Sequence, residues 1–556
     1  MTATSVSAVR PPSALRFWLP RIAFAVVAPI LLLALVEGAL RLFHVGHETG
    51  LMDSCTVHGQ PTMCYNMFFA APFFPPGIIK TPQFFSLTPN KPPNTYRIVI
   101  LGESAAMGDP DFAYGFGRYL EAMLRERFPG TKFEIVNTGM VAINSHVSVI
   151  IARELADYHP DLYVVYAGSN EVVGPYGPGT VLTNSSMSLP VIHASIFARS
   201  SRIGQLLTES GKAPAEWRGM EMFLNRQVRA NSPRMPQAYR NFEHNLREIA
   251  QIAHDSGARV LLSTVLTNLR DCAPFASLHR EGITQELLRT WSELLQHAQA
   301  LETSGSYSEA LQQYLDAAKI DDQYAELQFR IARCYWNLGD YTSAKQRYEL
   351  ARDLDTLRFR ADSRTNEAIR KVAATSGPQV QLLDTQALFS NLSRNGIIGS
   401  ELLYDHVHLT PVASYLLARS AFRQVIRTLP AAANAVDIEP PDEDECERLL
   451  AFTAHDRARV ASEMIERLQR PPFTGQLNHS EQLQSLLSRS TSTESPQDTL
   501  AQYQWAIQQH PEDLTLHYKF GFFLFDYNRQ AAAQEFIRAQ PCDGFPVFLP
   551  DGTRVM

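Results

Sequence analysis

The chain is poor in cysteine: six in 556 residues, with no CxxC pair among them. That excludes a disulfide scaffold and leaves no zinc-ribbon pattern. It also lacks a basic stripe. Fifty Lys and Arg stand against 57 Asp and Glu, for a net charge of −7. Such a chain has no electrostatic footprint for nucleic acid, and no nucleic-acid partner is expected. A phosphate loop is missing too, since "GESAAMG" (102–108) has no Gly-Lys-Ser/Thr ending. The remaining composition, 45% hydrophobic and 19% charged, is that of a folded protein rather than a disordered one. The length allows two to four domains.

One long apolar run is present. Ile22 to Val36 carries no charge, and the run continues through Glu37 into Gly38, Ala39 and Leu40. The uncharged part falls short of the ~20 residues a bilayer core needs. Counted past Glu37, whose carboxylate can snorkel near an interface, it reaches spanning length. Arg10, Arg16 and Arg21 precede it. By the positive-inside rule they stay cytoplasmic, and everything after residue 45 lies outside. The expectation is a cytoplasmic tail (1–16), a single-pass membrane anchor (17–43) and an extracytoplasmic remainder, periplasmic or at the cell surface. A cleaved signal peptide is an alternative, weakened by the lack of a small-x-small site directly after the apolar core. A buried soluble helix is another. An exported location allows Cys55 and Cys64 to close a small disulfide loop; two free thiols are the other reading.

Residues 44–94 read as a Pro- and aromatic-rich linker. Its stretch 65–94 is denied a regular helix by proline and is expected to run extended toward the first domain. From residue 96 strand and helix patterns alternate: strands at 96–102, 132–139, 161–168 and 258–267, helices at 117–128, 146–158 and 238–257. Continuous apolar strands alternating with helices predict a parallel sheet covered on both faces. In such sheets ligands sit at the carboxyl ends of the strands. Ser104 lies at the end of the first strand and Asn170 just past the third.

The rhythm then breaks into a helical block (271–375). Within it Gly305, Tyr307, Ala310, Tyr314, Ala317 and Asp321 recur at Gly339, Tyr341, Ala344, Tyr348, Ala351 and Asp355, always 34 residues on. That is the period and pattern of the tetratricopeptide repeat (TPR), a helix–turn–helix unit that presents concave surfaces to protein partners. Its tyrosines are expected in the core. Strand periodicity returns at 379–389, followed by a helix from Pro411 to about Arg427. After an acidic linker more helices follow (431–556), with "YQWAIQQHPEDLTLHYKFGFFLF" (503–525) resembling a degraded repeat of the same kind.

In "YDHVHLTP" (404–411), Thr410 and Pro411 make a helix start, a capping hydroxyl before a proline at the first position. His408 therefore sits in the loop before that helix. Asp405, three residues upstream, can reach its Nδ1–H, fixing the tautomer and leaving Nε2 free as a base. A metal cluster of Asp405, His406 and His408 is the alternative, without a further ligand motif nearby. His146 is expected in the first turn of a helix, and His44 and His47 near the membrane interface.

Four blocks in order, "GESA" (102–105), "NTGMVAINS" (137–145), "GSNE" (168–171) and "DHVH" (405–408), resemble the SGNH/GDSL hydrolase family over roughly residues 95–430. The resemblance implies an α/β class: a flavodoxin-like parallel-sheet hydrolase domain in two parts (95–270 and 376–430), interrupted by the TPR insertion and followed by the helical C-terminal region. It implies Ser104 as nucleophile and Asp405 and His408 as the rest of a triad. It implies an oxyanion hole from the Ser104 N–H, the Asn170 side chain and a second-block N–H, of Ala142 where the family has glycine, or of Gly139. The turn-rich "VVGPYGPGT" (172–180) is expected to form a substrate rim, with Gly174 and Tyr176. No cofactor or metal is implied. Resolution of the acyl-enzyme by water gives an esterase, and by a sugar hydroxyl an O-acyltransferase on envelope glycans. The expected substrate is an acylated small molecule or glycan, with a protein partner recruited by the repeats. A scaffold with weak or lost hydrolase activity is the competing reading.

Overall fold

The structure is a computed structural model that describes residues 14–183, 188–209, 216–429, 438–488, 490 and 494–555. Residues 1–13 of the expected cytoplasmic tail lie outside the described residues. The first helix is Ala14–Leu42. Its part Phe24–Leu42, with mean hydropathy 2.1 and none of it buried, is long and apolar enough to cross a membrane. Near its end the Glu37 carboxylate accepts the backbone N–H groups of Arg202 and Ile203, at 3.1 and 3.2 Å. The helix end is thereby tied to the rest of the molecule.

An antiparallel sheet follows, made of β1 (Met52–Val57), β2 (Gln60–Tyr65) and the short β3 (Ser86–Leu87). Cys55 of β1 and Cys64 of β2 are joined in a disulfide. The aromatic stretch after β2 does not run extended to a distant domain. Phe69, Phe73, Phe74 and Ile78 are buried in the same core as Val99 and Leu101 of the first strand of the main sheet. Their apolar area outweighs what an exposed linker would leave in water, so the segment folds back as part of the core.

The main sheet holds β4 (Thr95–Gly102), β5 (Lys132–Asn137), β6 (Leu162–Tyr166), β7 (Arg259–Ser263) and β8 (Val380–Leu383). All pairs are parallel, in the order β5-β4-β6-β7-β8. Successive side chains alternate between two cores, as a strand buried on both faces requires. Ile98 and Ile100 join one core, and Val99 and Leu101 the other. Helices Phe116–Arg127 and Pro411–Val425 cover the first face. Ser145–Leu155, Met235–Ser256 and Ser363–Thr375 cover the second. Ser363–Thr375 falls in the span expected to be helical insertion, yet its Ile369 and Val372 belong to the sheet core. It is the covering helix between β7 and β8.

The strand pattern at 379–389 yields only four strand residues. Asp384 accepts the N–H of Ala387 and starts the helix Thr385–Leu392, because a capping acid satisfies orphan donors that a strand does not offer. Between β7 and the Ser363–Thr375 helix lie two helix pairs, Gln285–Thr303 with Tyr307–Ile320 and Ala325–Asn337 with Tyr341–Leu354. Positions 34 apart take equivalent places: Ala310 and Ala344, Tyr314 and Tyr348, and Ala317 and Ala351 are all buried. Tyr341 is exposed and packs edge-on to Trp336 instead.

The C-terminal helices do not form a separate body. Cys446 and Leu449 enter the core beneath Pro411–Val425, while Met464, Leu468 and Phe473 enter the opposite core. The chain end returns to the small sheet, where the Asp543 carboxylate accepts the N–H groups of His58 and Gly59.

Candidate active site

The strand order places a switch point between β4 and β6, from which the chain leaves in opposite directions. Open α/β sheets form a crevice at such a point, beyond the carboxyl ends of the strands. Ser104 follows β4 there and Asn170 follows β6. Ser104 opens the short helix Ser104–Met107, closed by Gly108 in a left-handed conformation (φ 99°). A Cβ on Gly108 would meet the Cα of Gly115 at 2.8 Å, so the two glycines let the turn fold tightly. The glycine flanking on the other side has a similar reason: a Cβ on Gly102 would meet the Tyr166 carbonyl oxygen at 2.1 Å.

His408 arrives from the other end of the chain. Thr410 accepts the N–H of Ala413, and Pro411 takes the first helical position. The preceding loop is closed by the pairing of Leu403 with Leu409 and by the Tyr404 N–H on the His408 carbonyl. Inside it, Asp405 Oδ1 accepts the N–H groups of Val407 and His408, both at 3.0 Å, and Oδ2 lies 2.7 Å from His408 Nδ1. Asp405 is fully buried. Burial would raise its pKa, but His408 and His406 outweigh that and hold it well below the usual carboxylate range. His408 Nε2 lies 2.8 Å from Ser104 Oγ. The three residues expected to form a triad therefore meet in one hydrogen-bonded line.

The ligand-type atoms of Asp405, His406 and His408 come within 4.8 Å of one another. Both ring nitrogens of His408 and both oxygens of Asp405 are already engaged by protein groups. His406 Nδ1, buried 3.2 Å from Asp405 Oδ1, makes no hydrogen bond of its own.

A cavity of about 460 Å³ opens over Ser104 and His408 and is lined also by Ala142, Asn170 and Val173. Ala142 sits in the left-handed region (φ 63°), where glycine would be unstrained. Of the two second-block candidates only Ala142 lines the cavity. Gly139 packs against the turn after Ser104, where an added Cβ would meet the Met107 nitrogen at 2.4 Å. Glu103 holds the Asn170 loop: its carboxylate accepts the N–H groups of Gly168, Ser169 and Asn170, at 2.9, 3.1 and 3.4 Å. Burial, reinforced by nearby Glu171, pushes Glu103 up to about 8. Burial pushes Glu171 up to about 7. Its oxygens accept from the Ser145 N–H and hydroxyl.

The rim is not where the turn signals pointed. Gly174 and Tyr176 are buried and do not line the cavity. Asn144 donates to the Pro175 carbonyl, and the Tyr176 hydroxyl pairs with Ser195. Val173 alone of that stretch's first five residues after Val172 reaches the cavity wall. The turn residues serve a compact buried loop. His146 is likewise buried, paired with Asn245 and pushed down to about 4 by burial. His47 stacks on Phe68.

The residues that complete the wall belong to none of the four sequence blocks. Asp109 Oδ2 lies 2.9 Å from His408 Nε2. Both Asp109 oxygens are taken by the Arg467 guanidinium from the helix Ala454–Leu468, with Nη2 at 3.0 Å from Oδ1. Two residues on, Asp111 is held by Lys519 at 2.6 Å and by Arg459. The loop after Ser104 is thus gripped by cations of the C-terminal helices. Trp217, Phe359 and Phe473 add aromatic surface, and Lys80 lies over the Trp217 ring at 4.4 Å. Asp109 stood in the open beside the Gly108 turn. Nothing local marked Arg467, 358 positions from Asp109.

No family model matches this chain, and no curated protein matches it. Among the solved structures that are similar are the acetyl xylan esterase AlAXEase, at 11% identity and a TM-score of 0.27, covering 59% of this chain and 99% of that one; and the lipase/acylhydrolase from Enterococcus faecalis, at 11% identity and a TM-score of 0.26, covering 59% of this chain and 95% of that one. Likeness at these values bears on neither the fold nor the activity of this chain, and the chemistry of the site stands on its own geometry.

Proposed function

We propose that this chain is a membrane-anchored serine esterase of the SGNH type that hydrolyses acyl esters outside the cytoplasm. The observation that carries the reading is the line Ser104 Oγ–His408 Nε2–Nδ1–Asp405, at 2.8 and 2.7 Å, opening on a cavity. His408 takes the hydroxyl proton as Ser104 Oγ attacks the ester carbonyl. Asp405 fixes the Nδ1–H tautomer and stabilises the imidazolium. The oxyanion is received by the backbone N–H groups of Ser104 and Ala142 and the Asn170 side chain. The alcohol leaves with the proton from His408, and water, activated by the same imidazole, releases the acid.

The apolar helix Phe24–Leu42 and the Cys55–Cys64 disulfide support the anchored, extracytoplasmic location, since such bonds persist in oxidising compartments. The two helix pairs of 285–354, equivalent at 34-residue spacing, are read as tetratricopeptide repeats that dock a protein partner.

The test is labelling of the full chain by a fluorophosphonate together with turnover of short-chain aryl esters. Ser104→Ala is expected to abolish both. Labelling that survives the substitution would overturn the assignment.

A further inference from the structure

We propose that Asp109 and Arg467 form an electrostatic latch on the base of this site: Asp109 holds His408 at the nitrogen that must serve Ser104, and Arg467 sets how tightly. The inference rests on the reading of Ser104 as nucleophile and His408 as its base.

His408 Nε2 is 2.8 Å from Ser104 Oγ and 2.9 Å from Asp109 Oδ2. One ring nitrogen carries either a lone pair or a hydrogen, so it cannot serve both oxygens in the same way. With a lone pair at Nε2, the imidazole accepts from the serine hydroxyl and faces the lone pairs of the carboxylate. As the imidazolium, its Nε2–H is held by Asp109, and the serine proton has no acceptor. Asp109 therefore stabilises the resting, proton-bearing form. Attack requires that form to give its Nε2 proton to solvent. The Ser104 proton then moves to Nε2 as the Oγ–carbon bond forms and the carbonyl electron pair moves onto oxygen.

Arg467 acts in the opposite sense. Its guanidinium takes both oxygens of Asp109, and Nη1 also comes within 3.5 Å of His408 Nδ1. It draws the carboxylate's charge away from the ring and adds positive charge beside it. Other charged or titratable groups near the ring are Asp405 and His406 on its own loop, Glu463, at 3.4 Å from Arg467, and Lys80, Glu466 and Arg470 on the walls of the same cavity. Burial pushes His408 down, but Asp405 and Asp109 outweigh it and hold the ring at about 9. The base form is thus the minor one at neutral pH. Because Arg467 belongs to the C-terminal region, the latch makes the basicity of His408 depend on how those helices sit.

The test measures the rate of Ser104 labelling by a fluorophosphonate against pH, on the full chain in detergent, with thermal melts to confirm folding. Asp109→Asn keeps the shape and removes the charge. Its midpoint is expected to move to lower pH by about one unit or more, the size of shift an adjacent opposite charge produces. Labelling near neutrality then rises roughly tenfold. Arg467→Gln is expected to move the midpoint the other way, and Arg467→Lys to bring it back toward the wild-type value. A merely structural role would slow labelling at every pH without opposite shifts. If one variant does not fold, the sign of the shift in the other decides. Labelling that persists in Ser104→Ala overturns the nucleophile reading itself. Labelling that needs Ser104, with midpoints unmoved or moving together, overturns the latch alone.

Discussion

Ser104 Oγ and His408 Nε2 lie 2.8 Å apart across 304 positions of chain. The contact exists because two strand ends and a helix start converge on one crevice. The Ser104 turn follows β4, the Asn170 loop follows β6, and the imidazole hangs from the loop before Pro411–Val425. Each part is held in a way that makes its removal testable.

Asp405 fixes the ring through Nδ1 and fixes its own loop through two backbone N–H groups. Asp405→Asn preserves the shape but no longer demands the Nδ1–H tautomer. The loss in kcat on an aryl acetate is expected to reach roughly 10⁴-fold, with KM little changed. A loss below tenfold would remove Asp405 from the role of orienting acid.

Asn170 and Ala142 share the cavity wall with Ser104. Asn170→Ala removes one of the proposed oxyanion donors and is expected to cost about 10²–10³-fold in kcat. Ala142→Gly keeps the N–H and relieves the left-handed strain at φ 63°. It is expected to retain activity and to stabilise the fold by up to about 1 kcal/mol, read from urea midpoints. A glycine variant that loses activity while folding normally would mean the Ala142 methyl, and not its N–H, matters.

Stability should fall as pH rises from about 6 to 9. Burial holds Glu103 at about 8 and Glu171 at about 7, against roughly 4.3 for a glutamate in the unfolded chain. His408, despite its burial, is held at about 9 by Asp405 and Asp109, against roughly 6.5 unfolded. In each case the folded state binds more protons, so the slope of stability with pH is negative. The His408 contribution is complete below about 6.5 and lost as pH passes 9. Melting temperatures across this range check the sign; a flat or rising profile would contradict it. Asp405 works in the acid range with the opposite sign, losing its contribution as pH falls toward its depressed pKa.

Replacing both Cys55 and Cys64 by alanine frees a short loop between β1 and β2. The expected cost is about 2–3 kcal/mol of unfolding free energy, measured by urea denaturation, with Ser104 labelling retained because the site lies at the main sheet. Unchanged stability would show that the pair adds nothing to the folded state.

The stretch 172–180 forms a buried loop rather than a rim. Because Gly174 and Tyr176 are buried away from the cavity lining, deleting 172–180 is expected to unfold the domain, read as a lost thermal melt, rather than retune ester preference.

What could be read from residue order was whatever is decided over short spans. Apolar runs mark strands buried on both faces, since each side chain must be apolar whichever way it points. The pairing of Asp405 with His408 and the cap at Thr410 span three residues each, so backbone geometry alone brings those atoms together. The spacing of 34 between Ala310 and Ala344 or Tyr314 and Tyr348 shows because each pair of helices repeats the same packing problem. Packing decided the rest. Phe69, Phe73 and Phe74 could follow the prolines outward or turn into the core, and only the space beside Val99 and Leu101 settles which. The strand at 379–389 stops early because Asp384 finds orphan N–H groups to cap. Asp109 meets Arg467 across 358 positions because the helix Ala454–Leu468 enters the core through Met464 and Leu468, which carries Arg467 to the loop after Ser104. Charge pairing over such a distance leaves no periodic trace in the chain, because its partners are chosen by where separate helices come to rest.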